Sequence, residues 1–185
     1  MKKTCECCVV RREKAIFLYS VLLGLMLISL VQSSSFSQTN ISSIEDLQKI
    51  GTVYPLNGSY TLTQDIDASD TINWNGGTGF LPIGTYATPF TGTFNGNNKK
   101  ITNLWIKRGT ENYVGLFGGV GATGNIVNLT IENEWVVGKD YVGGLVGSNF
   151  GTTSNCRITG LIASSGKYIG GLIGYNNGNA IKVVM

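Results

Sequence analysis

Histidine is absent from the 185-residue sequence. That excludes a Ser-His-Asp triad, a Cys-His pair, an HExxH zinc site and a three-histidine metal centre. Charge is scarce as well: 14% of residues are charged, against roughly a quarter in an ordinary globular protein. The formal net charge of +3 arises within the first fourteen residues, where Lys2, Lys3, Arg11, Arg12 and Lys14 outnumber Glu6 and Glu13. The remaining 9 basic and 9 acidic residues cancel. The body of the chain is therefore neutral and carries no electrostatic footprint for nucleic acid. Of the 4 cysteines, Cys5, Cys7 and Cys8 lie in the basic head and only Cys156 lies beyond it. CECC has no second ligand pair at metal-site spacing, and a lone Cys156 cannot close an internal disulfide. Its expected role is that of a small buried apolar side chain.

The basic head leads into an uncharged run of 17 residues, Ala15 to Val31, and then a small polar stretch, Gln32 to Gln38. Basic head, apolar run and small-residue site are the three parts of a secretory signal. Ser35 and Ser37 fit the −3 and −1 positions of cleavage, which makes Gln38 the first mature residue. An uncleaved anchor is the alternative, and either form sends the rest of the chain across the membrane. The expected location is secreted or cell-surface, with membrane contact only through this segment if it stays uncleaved.

From residue 38 onward the chain holds 25 of its 26 glycines. That density argues against long helices. It accompanies a repeat: YVGLFGG from Tyr113, YVGGLVG from Tyr141 and YIGGLIG from Tyr168, at steps of 28 and 27 residues. The repeat-defining residues are Tyr113, Gly115, Leu116 and Gly118; Tyr141, Gly143, Gly144, Leu145 and Gly147; and Tyr168, Gly170, Gly171, Leu172 and Gly174. A second element reads ITNLWI at Ile101, IVNLTI at Ile126 and TSNCRITG at Thr153, marked by Asn103, Asn128 and Asn155. Short β-branched runs between Gly, Asn, Ser and Thr are strands and tight turns. A period near 27 without helix is too short for a propeller blade and fits a β-solenoid, one coil per repeat. Gly143, Gly144 and Gly147 are then expected at corners of positive φ or in crowded coil interiors. The tyrosines, and Val114, Val142 and Ile169 after them, are expected to stack as ladders, with asparagine amides pairing from coil to coil.

YVGGLVG and YIGGLIG resemble the GLUG repeat of large bacterial secreted and surface proteins. The stretch Tyr60 to Ile106, with "DID…W…PIG…F.G.F.G….I.NL.I", resembles the coils that lead such repeats. The likeness spans about Ile41 to Asn179 and implies an all-β fold, a right-handed parallel β-helix, with an adhesin-like or structural role. The expected division is a signal segment at 1–37, a cap helix at 38–51 and the solenoid at 52–185. In the cap, Ser42 with Glu45 forms a capping box, Gly51 supplies the stop, and Ile44, Leu47 and Ile50 cover the first coil. The chain stops at Met185 partway into an expected strand, which reads as a fragment of a longer protein or, as the alternative, a last coil covered by a partner.

Few residues suggest chemistry. Asp65, Asp67 and Asp70 are the densest carboxylates and the weak candidates for a metal or for an acid/base pair on a sugar. Their spacing lacks the glycine and glutamate of a calcium loop, and turn formation is the blander role. Glu132 and Glu134, the other i, i+2 pair, read as a solvated turn. Trp74, Trp105 and Trp135 are either packing residues or platforms for sugar rings. The basic cluster Lys99, Lys100, Lys107 and Arg108 is expected a coil or two away from the aspartates. No catalytic constellation and no cofactor motif is found. The expectation is a non-catalytic surface module whose partners are surface glycans or host and cell-surface proteins. The alternative is a carbohydrate-active β-helix using Asp65 and Asp67.

Overall fold

In the computed structural model, residues 37–184 are described. The export segment expected at 1–37, with Cys5, Cys7 and Cys8, lies outside the described residues except at its last position. A short strand β1 (Thr39–Ile41) precedes the helix α1 (Ile44–Gln48). The first coil contains β2 (Ser59–Leu62), β3 (Ile66–Asp67) and a kinked 3-10 segment, Ser69–Gly77. The second runs through β4 (Thr93–Asn95), β5 (Lys100–Thr102), β6 (Trp105–Lys107) and β7 (Phe117–Val120). The third has β8 (Asn125–Val127), β9 (Thr130–Gly138), β10 (Val142–Gly143) and β11 (Val146–Asn149). The fourth has β12 (Thr152–Ser154), β13 (Arg157–Ser164), β14 (Ile169–Gly170) and β15 (Ile173–Asn176), and β16 (Asn179–Ile181) comes after it.

Every strand pairing among these is parallel, and each joins one coil to the next. The fold is a parallel β-solenoid. Its longest sheet runs β1-β2-β4-β8-β12-β16. Tyr60, Phe94, Ile126, Thr153 and Ala180 pair in turn, so successive coils take 34, 32, 27 and 27 residues. The 27-residue period belongs to the later coils only.

The core results from stacking like on like. Ile66, Ile101, Ile131 and Ile158 form one inward ladder, each at most 4% exposed. Phe80, Phe90, Phe94 and Phe117 fill the wider early coils, and Phe117 packs against Phe90 and Phe94 with ring centres 5.1 and 5.5 Å apart. Burying one such side chain stabilises the fold by about 1.5–3 kcal/mol. In the cap, Ile44, Leu47 and Ile50 are buried and Gly51 has φ +90°, but the helix expected over 38–51 spans only Ile44–Gln48, because Thr39–Ile41 pair with β2 as a strand. Its N-cap is Ser43, however, whose side chain accepts the Asp46 N–H. Ser42 instead donates to the Asp46 carboxylate. The capping box expected from Ser42 and Glu45 is therefore not formed: the cap moves one residue on, to Ser43, and the Asp46 carboxylate takes bonds from Ser42 and Lys49.

For the repeat glycines the structure selects crowded coil interiors over corners, and the expectation for the asparagines is corrected. Gly143, Gly144 and Gly147 do not sit at positive φ; the corners there are taken by Tyr113, Tyr141 and Tyr168, at φ 60°, 58° and 61°. The glycines are needed for close approach: a Cβ on Gly143 would lie 2.3 Å from the Val146 carbonyl and 2.6 Å from the Gly174 nitrogen. Asn103 does not stack on Asn128 either. Ile101 pairs with Ile131, whereas Ile126 pairs with Phe94 and Thr153, so ITNLWI and IVNLTI occupy different corners of the coil. Both carry asparagine after a β-branched run because both corners need the left-handed conformation, at φ 59° for Asn103 and 57° for Asn128, which asparagine tolerates.

Gly143→Ala should lower the unfolding free energy by about 1–3 kcal/mol, because backbone rather than a yielding side chain meets the new methyl. Gly109→Ala, whose Cβ would meet only Val137 Cγ1 at 3.8 Å, should leave stability unchanged or slightly raised. Chemical denaturation of the two variants checks this, and equal effects would contradict it.

Candidate functional site

Three outward features carry the side chains singled out in the sequence. The first is a tyrosine stack. Tyr86, Tyr113, Tyr141 and Tyr168 lie face to face with ring centres 4.8, 4.5 and 4.7 Å apart and interplanar angles of 21°, 9° and 7°. Those spacings match the distance between strands of neighbouring coils, so each ring covers the next. Tyr175 meets Tyr141 and Tyr168 edge-on at 5.9 Å, and Phe150 bridges Tyr175 and Tyr86. The left-handed backbone at three of these tyrosines is a strained choice for a bulky residue, and aromatic stacking offsets it. The expected valine and isoleucine ladder runs beside it, Val114 against Val142 and Val142 against Ile169.

The second is a shallow groove of about 510 Å³ along the outer side of β6, β9 and β13, lined by Ile72, Trp105, Trp135 and Leu161 beside Asn103 and Asn133. Trp105 and Trp135 stack at 5.2 Å with a 21° interplanar angle. Leu161 lies in register with Trp135. The indole faces are therefore turned largely toward their own neighbours along the axis. Trp74 belongs elsewhere, stacked on buried Phe80.

The third is the aspartate corner. Asp65 Oδ1 accepts the Lys100 N–H at 3.0 Å. Asp67 Oδ1 accepts the Ser69 N–H and the Asn103 Nδ2, both at 3.0 Å. Asn133 Nδ2 continues the chain by donating to Asn103 Oδ1 at 2.7 Å. The hydrogen bond from Asn103 holds the Asp67 carboxyl below its ordinary value, the opposite of what a general acid on a sugar requires. Asp70 is exposed in the 3-10 segment. Among the described residues, no group of three or more acidic, cysteine or histidine side chains is placed to hold a metal ion. Two side chains of the basic cluster are engaged elsewhere: Lys100 pairs with Glu132 at 3.2 Å, and buried Arg108 pairs with Glu111 at 2.9 Å and donates to the Phe80 carbonyl.

Glu134 differs from its expected place. It is 2% exposed, and neither carboxylate oxygen has a hydrogen-bond partner. Asn133, at φ 58°, is a corner that breaks the alternation of the strand, so Glu132 stays at the surface while Glu134 turns inward. Burial pushes the Glu134 carboxyl up to about 8. Sequence reasoning missed this, along with Tyr86, Phe150 and Tyr175. IENEWV at Ile131 repeats ITNLWI at Ile101, and that alignment places Glu134 where Leu104 is buried. Cys156 meets expectation as a buried thiol, and burial raises its pKa.

No protein-family model matches the chain, and no solved structure matches it. It is 43% identical over 130 residues to Halomucin of Haloquadratum walsbyi, covering 68% of this chain and 1% of that protein. It is 37% identical over 102 residues to a protein of Evansella cellulosilytica described as a Gly-rich membrane protein, covering 54% of this chain and 12% of the relative. The chain thus spans only a small part of either relative. No helix among the described residues is long and apolar enough to cross a membrane.

Asp67 should titrate below the ordinary aspartate range in a carboxyl NMR titration. Its stabilising bond from Asn103 is then present above the unfolded value and is lost as the pH falls through the lowered one. Asn103→Ala should return the titration toward the ordinary value; an unchanged titration would contradict the assignment.

Proposed function

We propose that the chain is a non-catalytic β-solenoid module built from GLUG-type repeats, exported by its N-terminal segment and working at the cell surface in a structural or adhesin-like role. The observation that carries this reading is how the outward side chains are used. Tyrosines, tryptophans and asparagine amides pair coil to coil along the axis, and both aspartates of the alternative enzymatic reading are engaged in turns. The names of the two relatives, one a mucin-like name and one a membrane protein, support a surface setting. A neutral, charge-poor body suits surface glycans or cell-surface proteins as partners better than nucleic acid.

The competing reading, a carbohydrate-active β-helix, needs a second carboxylate poised opposite a raised one. Incubation with a panel of polysaccharides should release no reducing sugar, and Asp65→Asn with Asp67→Asn should alter stability without altering any turnover. A polysaccharide cleaved by the unaltered chain and spared by the double variant would overturn the proposal.

A further inference from the structure

Glu134 is costly where it stands. A carboxyl without hydrogen-bond partners in an apolar interior favours its neutral form, because nothing repays the desolvation of a charge. Its surroundings are shaped for it. A Cβ on Gly144 would lie 2.0 Å from Glu134 Oε1, 2.6 Å from Ile158 Cδ1 and 2.9 Å from the Gly171 carbonyl. Gly160 pairs with Glu134 in the next coil, and a Cβ there would meet the Glu134 backbone carbonyl at 2.3 Å and its Cγ at 2.6 Å. The β9–β13 register shifts between Ile158 and Gly160, because the corner residue Asn133 has no counterpart in β13. Gly144 of the third coil thus makes room for the carboxyl, and Gly160 of the fourth for the backbone and Cγ that carry it.

The fourth coil lies directly against that cradle, with Gly160 of β13 in register with Glu134. Its Ile169 is 52% exposed, and an open recess of about 450 Å³ lined by Ile158, Gly160, Ile162, Ile169 and Gly171 adjoins it. In a stacked fold each coil is held chiefly by its neighbours, so the contact between two coils can open locally.

We propose that Glu134 is a proton-dependent latch: neutral, its carboxyl lets the fourth coil, β12 to β15, dock on the third; ionised, it forces that coil off. The charged and titratable groups of the packed elements do not relieve it. Lys100 of β5 and Glu132 of β9 pair with each other. Lys107 of β6, Lys139 after β9, Arg157 of β13 and Lys167 with Tyr168 before β14 are exposed, and Asp140 and Tyr141 before β10 are half-exposed. The carboxyl is raised from 4.5 to about 8 by burial alone. Its neutral form therefore contributes stability that is complete below the unfolded value and is lost as the pH rises through the folded one.

Hydrogen exchange read by mass spectrometry on the full chain tests this. Between pH 6 and pH 9, after correction for intrinsic exchange, protection of residues 157–176 should fall by about tenfold or more. Residues 93–107 should hold theirs, and Glu134→Gln should keep the fourth coil protected at pH 9. Loss of protection in Glu134→Gln equal to that of the unaltered chain, or no loss in the unaltered chain, would overturn the latch. Should Glu134→Gln fail to fold, carboxyl NMR of the unaltered chain decides: titration of Glu134 well above the glutamate range supports the latch, and titration within that range overturns it.

Discussion

Parallel, in-register stacking of coil on coil is the constraint on which the other features depend. Each residue sits on the residue one coil away, at the spacing of hydrogen-bonded strands. An inward isoleucine therefore meets an isoleucine, as Ile66, Ile101, Ile131 and Ile158 do. An outward ring meets a ring, as in the tyrosine stack. Where backbone approaches backbone inside the coil, no side chain fits, and glycine is the solution at Gly143, Gly147 and Gly174. The same constraint gives asparagine its place, because a left-handed corner repeated in successive coils sets one amide above another, as Asn155 donates to Asn128 at 2.7 Å.

That constraint also decides what was legible in the sequence. The ladders of tyrosine and of Val114, Val142 and Ile169 could be read directly, since identical residues recur at nearly equal steps. The solenoid could be inferred from them, and so could the buried face of the cap. The role of the glycines was harder to read, because a left-handed corner and a backbone contact both select glycine and leave the same letter. Corners were confounded in turn: Asn103 and Asn128 look alike locally, yet 30 residues separate Asn103 from its true partner Asn133. The early coils are longer than the later ones, which hides that spacing from a search for one period.

The wrong register had a chemical consequence. With ITNLWI set against IVNLTI, Glu134 falls in a loop between strands and reads as solvated. Set against IENEWV, it takes the inward position of Leu104, and an ionisable group enters the core of a protein with few charges. The aspartates went the other way. Their density suggested chemistry, while their hydrogen bonds to Lys100, Ser69 and Asn103 bind coils and turns together. Side chains singled out for chemistry take part in the stack, and among the described residues the one buried carboxyl without a hydrogen bond lies where the pattern looked bland.

The register itself can be measured directly. In a chain whose native cysteines are replaced by serine, Asn103→Cys with Asn133→Cys should close a disulfide on mild oxidation, since stacked corner residues fall within the Cα separation of about 4.4–6.8 Å that a disulfide spans. Asn103→Cys with Asn128→Cys should stay reduced. Closure of the second pair while the first remains open would contradict the stacking register.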